Sequence, residues 1–165
     1  MKLIHAQLLQ VAFVAVVALS VNAPSWAAAP NVVGTWKLVS SVTEELATGK
    51  KAPLLGEHPK GYLIYTPQGR MMGLVVHETR SPPKVDEDRI NLHKYMVSYS
   101  GRYTIEGDKV VHHVDISWDE ALTGTDLVRF FKLEGDRLTI TTAPAKNVIT
   151  GPETSAGVLV WEREH

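Results

Sequence analysis

The sequence predicts an all-β fold: a closed antiparallel β-barrel of about eight to ten strands with one short lid helix. Three observations carry that expectation. After residue 30, hydrophobicity alternates mostly with a period of two, the period of a half-buried strand. Tight-turn signals recur between the apolar runs, at Pro67-Gln68-Gly69, Gly107-Asp108 and Gly135-Asp136. Closing the sheet removes the edges that so many strands would otherwise expose.

The first 27 residues read as a signal peptide. Met1-Lys2 carries one positive charge, and Leu8 to Val21 is almost wholly apolar over about fourteen residues. That run falls short of the roughly 20 residues a membrane-spanning helix needs. Ser25-Trp26-Ala27 places small side chains at the −3 and −1 positions of a cleavage site. Residues 28–165 then form a single domain. Cleavage takes one lysine from the 17 basic residues, leaving 16 against 18 acids and a formal charge of −2. The expected location is the periplasm, with release from the cell as the alternative. No other stretch is long or apolar enough to span a membrane.

The strands follow in order: Asn31 to Glu45, a weak Lys50 to Leu55, Gly61 to Thr66, Gly69 to His77, Tyr99 to Glu106, Lys109 to Ser117, Asp126 to Glu134, Arg137 to Thr142 and Ala156 to Glu164. One stretch breaks the pattern. Asp86-Glu87-Asp88 puts acids in a first helical turn, and Leu92, Tyr95, Met96 and Tyr99 make a helical stripe. These predict a helix over 86–97.

Pairing across Gly107-Asp108 sets Ile105 against Val110, Tyr103 against His112, Gly101 against Val114 and Tyr99 against Ile116 on one face. That face is apolar and therefore interior, with Tyr103 and His112 as its polar exceptions. Pairing across Gly135-Asp136 sets Leu133 against Leu138, Phe131 against Ile140 and Arg129 against Thr142. An arginine on an apolar face needs acceptors: backbone, a carboxylate, water or a ligand anion. Tyr99, Tyr103, His112, Arg129, Thr142 and Phe131 are the expected ligand-binding set, a few polar groups converging among apolar walls.

Gly34-Thr-Trp36 on the first strand and Trp161-Glu-Arg163 on the last resemble the ends of lipocalin and calycin barrels. The resemblance implies that Gly34, Trp36 and Arg163 close one end, with the arginine stacked over the indole. Pro59-Lys-Gly-Tyr-Leu-Ile-Tyr-Thr-Pro-Gln-Gly69, Tyr99-Ser-Gly-Arg-Tyr103, Val110-Val-His-His-Val114 and Gly135-Asp-Arg-Leu138 are similar to a family of small lipocalin-like domain proteins. The likeness covers about residues 31–164. It implies a barrel with a ligand-sized interior and no defined activity. Trp118-Asp-Glu-Ala-Leu122 departs from the pattern, which commonly has a proline there.

Other chemistry is sparse. The absence of cysteine excludes disulfides, thiolate metal sites and cysteine nucleophiles. A net charge of −1 provides no bulk basic field for nucleic acid. His112-His113 point to opposite faces of a strand and so do not share a metal. No phosphate-cradling loop, dinucleotide fingerprint or nucleophile elbow is present. The expectation is therefore an exported binder of a small apolar or amphiphilic molecule, without cofactor or metal. Two alternatives stand beside it. One is a barrel enzyme of isomerase, cyclase or hydratase type, with His112 as general base and Tyr103 or Arg129 stabilising an oxyanion. The other is an envelope interaction or stress protein without a ligand, marked by an exposed apolar patch.

Overall fold

Each apolar run becomes a strand, and the strands close on themselves. The structure is a computed structural model that describes residues 31–147 and 151–165. The expected signal peptide lies outside the described residues. The elements are β1 (Gly34–Glu45), β2 (Lys51–Pro53), β3 (Lys60–Tyr65), β4 (Arg70–Val76), α1 (Asp86–Lys94), β5 (Met96–Glu106), β6 (Lys109–Ser117), a 3-10 turn at Glu120–Leu122, β7 (Asp126–Glu134), β8 (Arg137–Thr142), β9 (Ala145–Asn147) and β10 (Gly151–Arg163).

Eight strands make the barrel, in the order β1-β3-β4-β5-β6-β7-β8-β10, and antiparallel pairing of β1 with β10 closes it. The short β2 and β9 add to β1 and β10. Successive barrel strands are neighbours in space; tight hairpins join β3 to β4, β5 to β6 and β7 to β8, and longer connections join the rest. At the 67–69 hairpin, Thr66 N–H donates to Arg70 O, and Gly69 takes a φ of 79°, as its place in the turn requires.

Both predicted registers hold beside their turns. Tyr103 pairs with His112, and Arg129 with Thr142. Further along, β5–β6 departs from expectation. A bulge between Ser100 and Gly101 pairs Ser100 with Ile116 and Tyr99 with Ser117. Ile116, expected inside, is 64% exposed. The cause is a close approach at Gly101, where a Cβ would run into the carbonyl of His113. A second bulge, between Leu38 and Ser40 in β1, turns Ser41 and Thr43 inward after Trp36 and Leu38.

The helix is shorter than the predicted 86–97. Asp88 accepts the N–H groups of Lys84 and Val85 at 2.8 and 3.2 Å, anchoring its start. It ends at Lys94, because Met96 to Arg102 pairs residue for residue with Val76 to Arg70. Tyr99 therefore lies on a strand and not on a helical stripe. No residue of α1 is buried, and sheet pairing overrides the apolar spacing. Among the described residues no helix is long and apolar enough to cross a membrane.

The core fills the end of the barrel where Trp36 lies. Trp36 is fully buried, and its Nε1 donates to Val32 O at 2.8 Å. The Arg163 guanidinium sits 4.1 Å from the indole centroid and donates to Val33 O at 2.7 Å, while its Nε lies 3.2 Å from Asp136. Gly34 has a φ of 144°, and a Cβ there would overlap the Arg163 head group. The Gly-x-Trp spacing thus makes room for the arginine that covers the tryptophan. Trp36→Ala should destabilise the protein by about 3–5 kcal/mol on urea melting, the range for emptying a buried aromatic site. A loss under about 1 kcal/mol would show that Trp36 does not anchor this end.

Candidate functional site

Beyond this plug the barrel is hollow. A cavity of about 340 Å³ opens toward the end that carries α1 and the loop from β6 to β7. Leu63, Val75, Ile140, Leu159 and Trp161 supply apolar wall, and His112, Arg129, Tyr99 and Thr142 supply polar groups. The volume and the mix are those of a small-molecule site. Lys94, Trp118, Asp119 and Leu122 line the mouth. There, Trp118 Nε1 donates to His93 O and His93 Nε2 bonds Trp118 O, each at 3.3 Å, tying the helix end to the loop.

A larger groove of about 500 Å³ lies outside the barrel, between residues 77–84 and α1. It is more open to solvent than the barrel cavity. The barrel cavity is the better candidate, because the buried His112 and the partly buried Tyr99 and Arg129 line it.

His112 is the centre of that group. It lies on β6, 1% exposed, and both ring nitrogens are engaged. Tyr65 Oη lies 2.7 Å from Nε2, and Tyr99 Oη lies 3.0 Å from Nδ1. Burial first, then the Arg129 charge and His113, lower its pKa from the usual 6.5 to about 3. Burial likewise pushes the Tyr65 phenol well above its ordinary value. Both groups are therefore neutral at pH 7.

Satisfying the buried hydroxyl fixes the tautomer. Among the described residues Tyr65 Oη has His112 as its one hydrogen-bond partner, so its O–H donates to Nε2. The imidazole proton is then on Nδ1 and donates to Tyr99 Oη. Tyr99 keeps its own proton free at the cavity wall.

The structure brings together four of the six expected ligand residues: Tyr99, His112, Arg129 and Thr142 line one cavity. Tyr103 and Phe131 face inward but lie deeper and do not line it. The Tyr103 hydroxyl donates to Thr66 O at 3.0 Å, and its ring packs edge-on against Tyr65, centroids 4.8 Å apart. Phe131 belongs to the apolar core. Sequence reasoning missed Tyr65. Its signal was present, since it shares an interior face with Leu63 in the Gly61 to Thr66 run. His113 points outward as expected, toward Asp126 at 2.7 Å and Thr104 at 3.1 Å. Among the described residues no three His, Asp or Glu side chains are placed to hold a metal ion.

Between about pH 3 and 6.5 the unfolded chain holds a proton on this histidine that the folded chain lacks. Its contribution to stability is complete above pH 6.5 and is lost as pH falls toward 3. In NMR titration, His112 should stay neutral, protonated on Nδ1, from pH 8 down to about 4.5. A midpoint near 6.5 would mean that the ring is solvated and the network wrong.

The sequence matches the family model of a lipocalin-like domain over residues 33–164. No curated protein matches the chain.

Proposed function

This chain belongs to the lipocalin-like domain family, and we propose that its barrel binds a small amphiphilic molecule in the cavity above His112. The observation that carries the reading is the cavity itself: a mostly apolar space inside the barrel, with His112, Arg129, Tyr99 and Thr142 among its lining residues. We further propose export to the periplasm, on the strength of the charged start, apolar run and small-residue site within residues 1–27. Protein recovered from a periplasmic fraction should begin at Ala28, and a full-length protein in the cytoplasm would overturn export.

An enzyme with His112 as general base is less well supported. Tyrosines occupy both of its ring nitrogens, and the Tyr103 hydroxyl is engaged by Thr66 O. An interaction surface has one observation in its favour. Tyr62 and Leu74, and Ile64 and Met72, are cross-strand pairs on the outer wall, each residue between 37% and 48% exposed. That patch accompanies the cavity and does not replace it.

Gly73 gives the direct test of binding. It lines the cavity, and a Cβ there would meet only Leu63 at 3.7 Å and Met71 at 4.0 Å, which is ordinary contact. Gly73→Leu should therefore project into the space without breaking the barrel. Native mass spectrometry should show wild type retaining a small molecule that the variant has lost, with the melting temperature changed by no more than about 4–8 °C. Equal retention by both proteins would place the ligand outside the barrel.

A further inference from the structure

We propose that the cavity selects molecules with a singly charged carboxylate head, held between the Arg129 guanidinium and the Tyr99 hydroxyl, with Thr142 as an additional donor. This deepens the binding reading above and rests on it.

Arg129 carries the argument. Its side chain lines the cavity, and its charge there adds to the lowering of the His112 pKa and partly offsets the rise that burial gives Tyr65. Yet the guanidinium makes one hydrogen bond among the described residues, a 3.1 Å contact to the carbonyl of its own neighbour Val128. Among the described residues Arg70, Arg89, Arg137 and Arg163 meet carboxylates; Arg80 and Arg102 meet none but are exposed to solvent, whereas Arg129 meets none and is partly buried. Four of its five N–H donors thus have no partner among the described residues. A partly buried cation without a counter-charge is costly, and a carboxylate supplies both the charge and two matched acceptors.

The surrounding wall offers donors. The Tyr65–His112–Tyr99 chain leaves the Tyr99 O–H free, as derived above. Thr142 Oγ1 accepts Gly157 N–H at 2.8 Å, which leaves its own O–H to donate. Ser41 Oγ and Trp161 Nε1 belong to lining residues and are buried without a partner among the described residues. The carboxylate of the lining, Asp119, sits at the mouth, where its Oδ1 already accepts Ala121 N–H.

Size and charge narrow the class. Lys94 and Asp119 at the mouth are of opposite sign, which leaves Arg129 as the net charge of the lining; one guanidinium balances one negative charge, so a monoanionic carboxylate fits better than a phosphate dianion. The cavity of about 340 Å³ is roughly twice the engineered cavity known to hold benzene. The expected ligand is a monocarboxylic acid with an aromatic or short aliphatic body of roughly a dozen non-hydrogen atoms.

The test uses matched probes and isothermal calorimetry at pH 7.5: 4-phenylbutanoic acid with 4-phenylbutan-1-ol, 2-naphthoic acid with 2-naphthylmethanol, and octanoic acid with octan-1-ol. In wild type, at least one acid should bind about tenfold or more tightly than its alcohol. Arg129→Gln should remove that preference, weakening the acid at least about tenfold and the alcohol less than about threefold. Tyr99→Phe should weaken the acid by about three- to tenfold. Melting of the empty Arg129→Gln protein should be nearly unchanged, because no internal ion pair is lost. Equal binding of acid and alcohol by wild type would overturn the carboxylate inference and leave the cavity reading intact. That comparison needs no variant. If no acid or alcohol binds, both readings fall.

Discussion

The stack of Arg163 over Trp36 decides which end of the barrel is shut. Everything else about the site follows from that asymmetry. The pair joins the first strand to the last at the seam where the sheet closes, so one contact fixes both closure and plug. The guanidinium is held over the indole by the carbonyls of Val33 and Asn31 and by Asp136. Such a contact is more directional than apolar packing alone. With Trp36, Leu138, Val110 and Phe131 filling this end, the interior that stays open lies at the opposite end.

Between plug and cavity sits a layer with two functions. Tyr65, Tyr103 and His112 pack as rings, and their polar atoms are satisfied within the protein or passed upward to Tyr99. A buried imidazole between two phenols is neutral at working pH, which keeps the floor from adding a second positive charge beside Arg129. The same depressed pKa, with a tyrosine on each ring nitrogen, makes the histidine a weak base. Its task is to orient a hydroxyl, and its two hydrogen bonds also hold β6 to β3 and β5 through their side chains.

The face of each residue was legible in the sequence, because side chains alternate along a strand and short hairpins fix register. Arg129, Phe131, Tyr99, Tyr103 and His112 were all placed inside on that ground. Depth was not legible. Interior neighbours on one strand lie roughly 6.7 Å apart along it, far enough to separate a cavity wall from a packed core. Phe131 and Tyr103 fall on the core side of that division, and Arg129 and Tyr99 on the cavity side. Bulges were also hidden. Gly101 is the only local trace of the shift that exposes Ile116, and nothing near Val39 marks the shift that turns Ser41 inward. The helix was overextended for a related reason. Spacing at 92, 95, 96 and 99 satisfies a helix, while the competing strand pairing with β4 comes from a distant segment.

Arg129 shows why an apolar cavity would carry an unmatched cation at all. In the empty barrel its head group can be hydrated only through the mouth, and an apolar body entering the cavity displaces that water. A neutral ligand would then strand the charge against Ile140 and Leu159, with a desolvation cost that its own burial must overcome. A carboxylate replaces the lost water with two charge-assisted hydrogen bonds while the same apolar body is buried. On the proposed carboxylate reading, the guanidinium would act mainly against neutral ligands. Discrimination between an acid and its alcohol would then come as much from the penalty imposed on the alcohol as from the attraction for the acid.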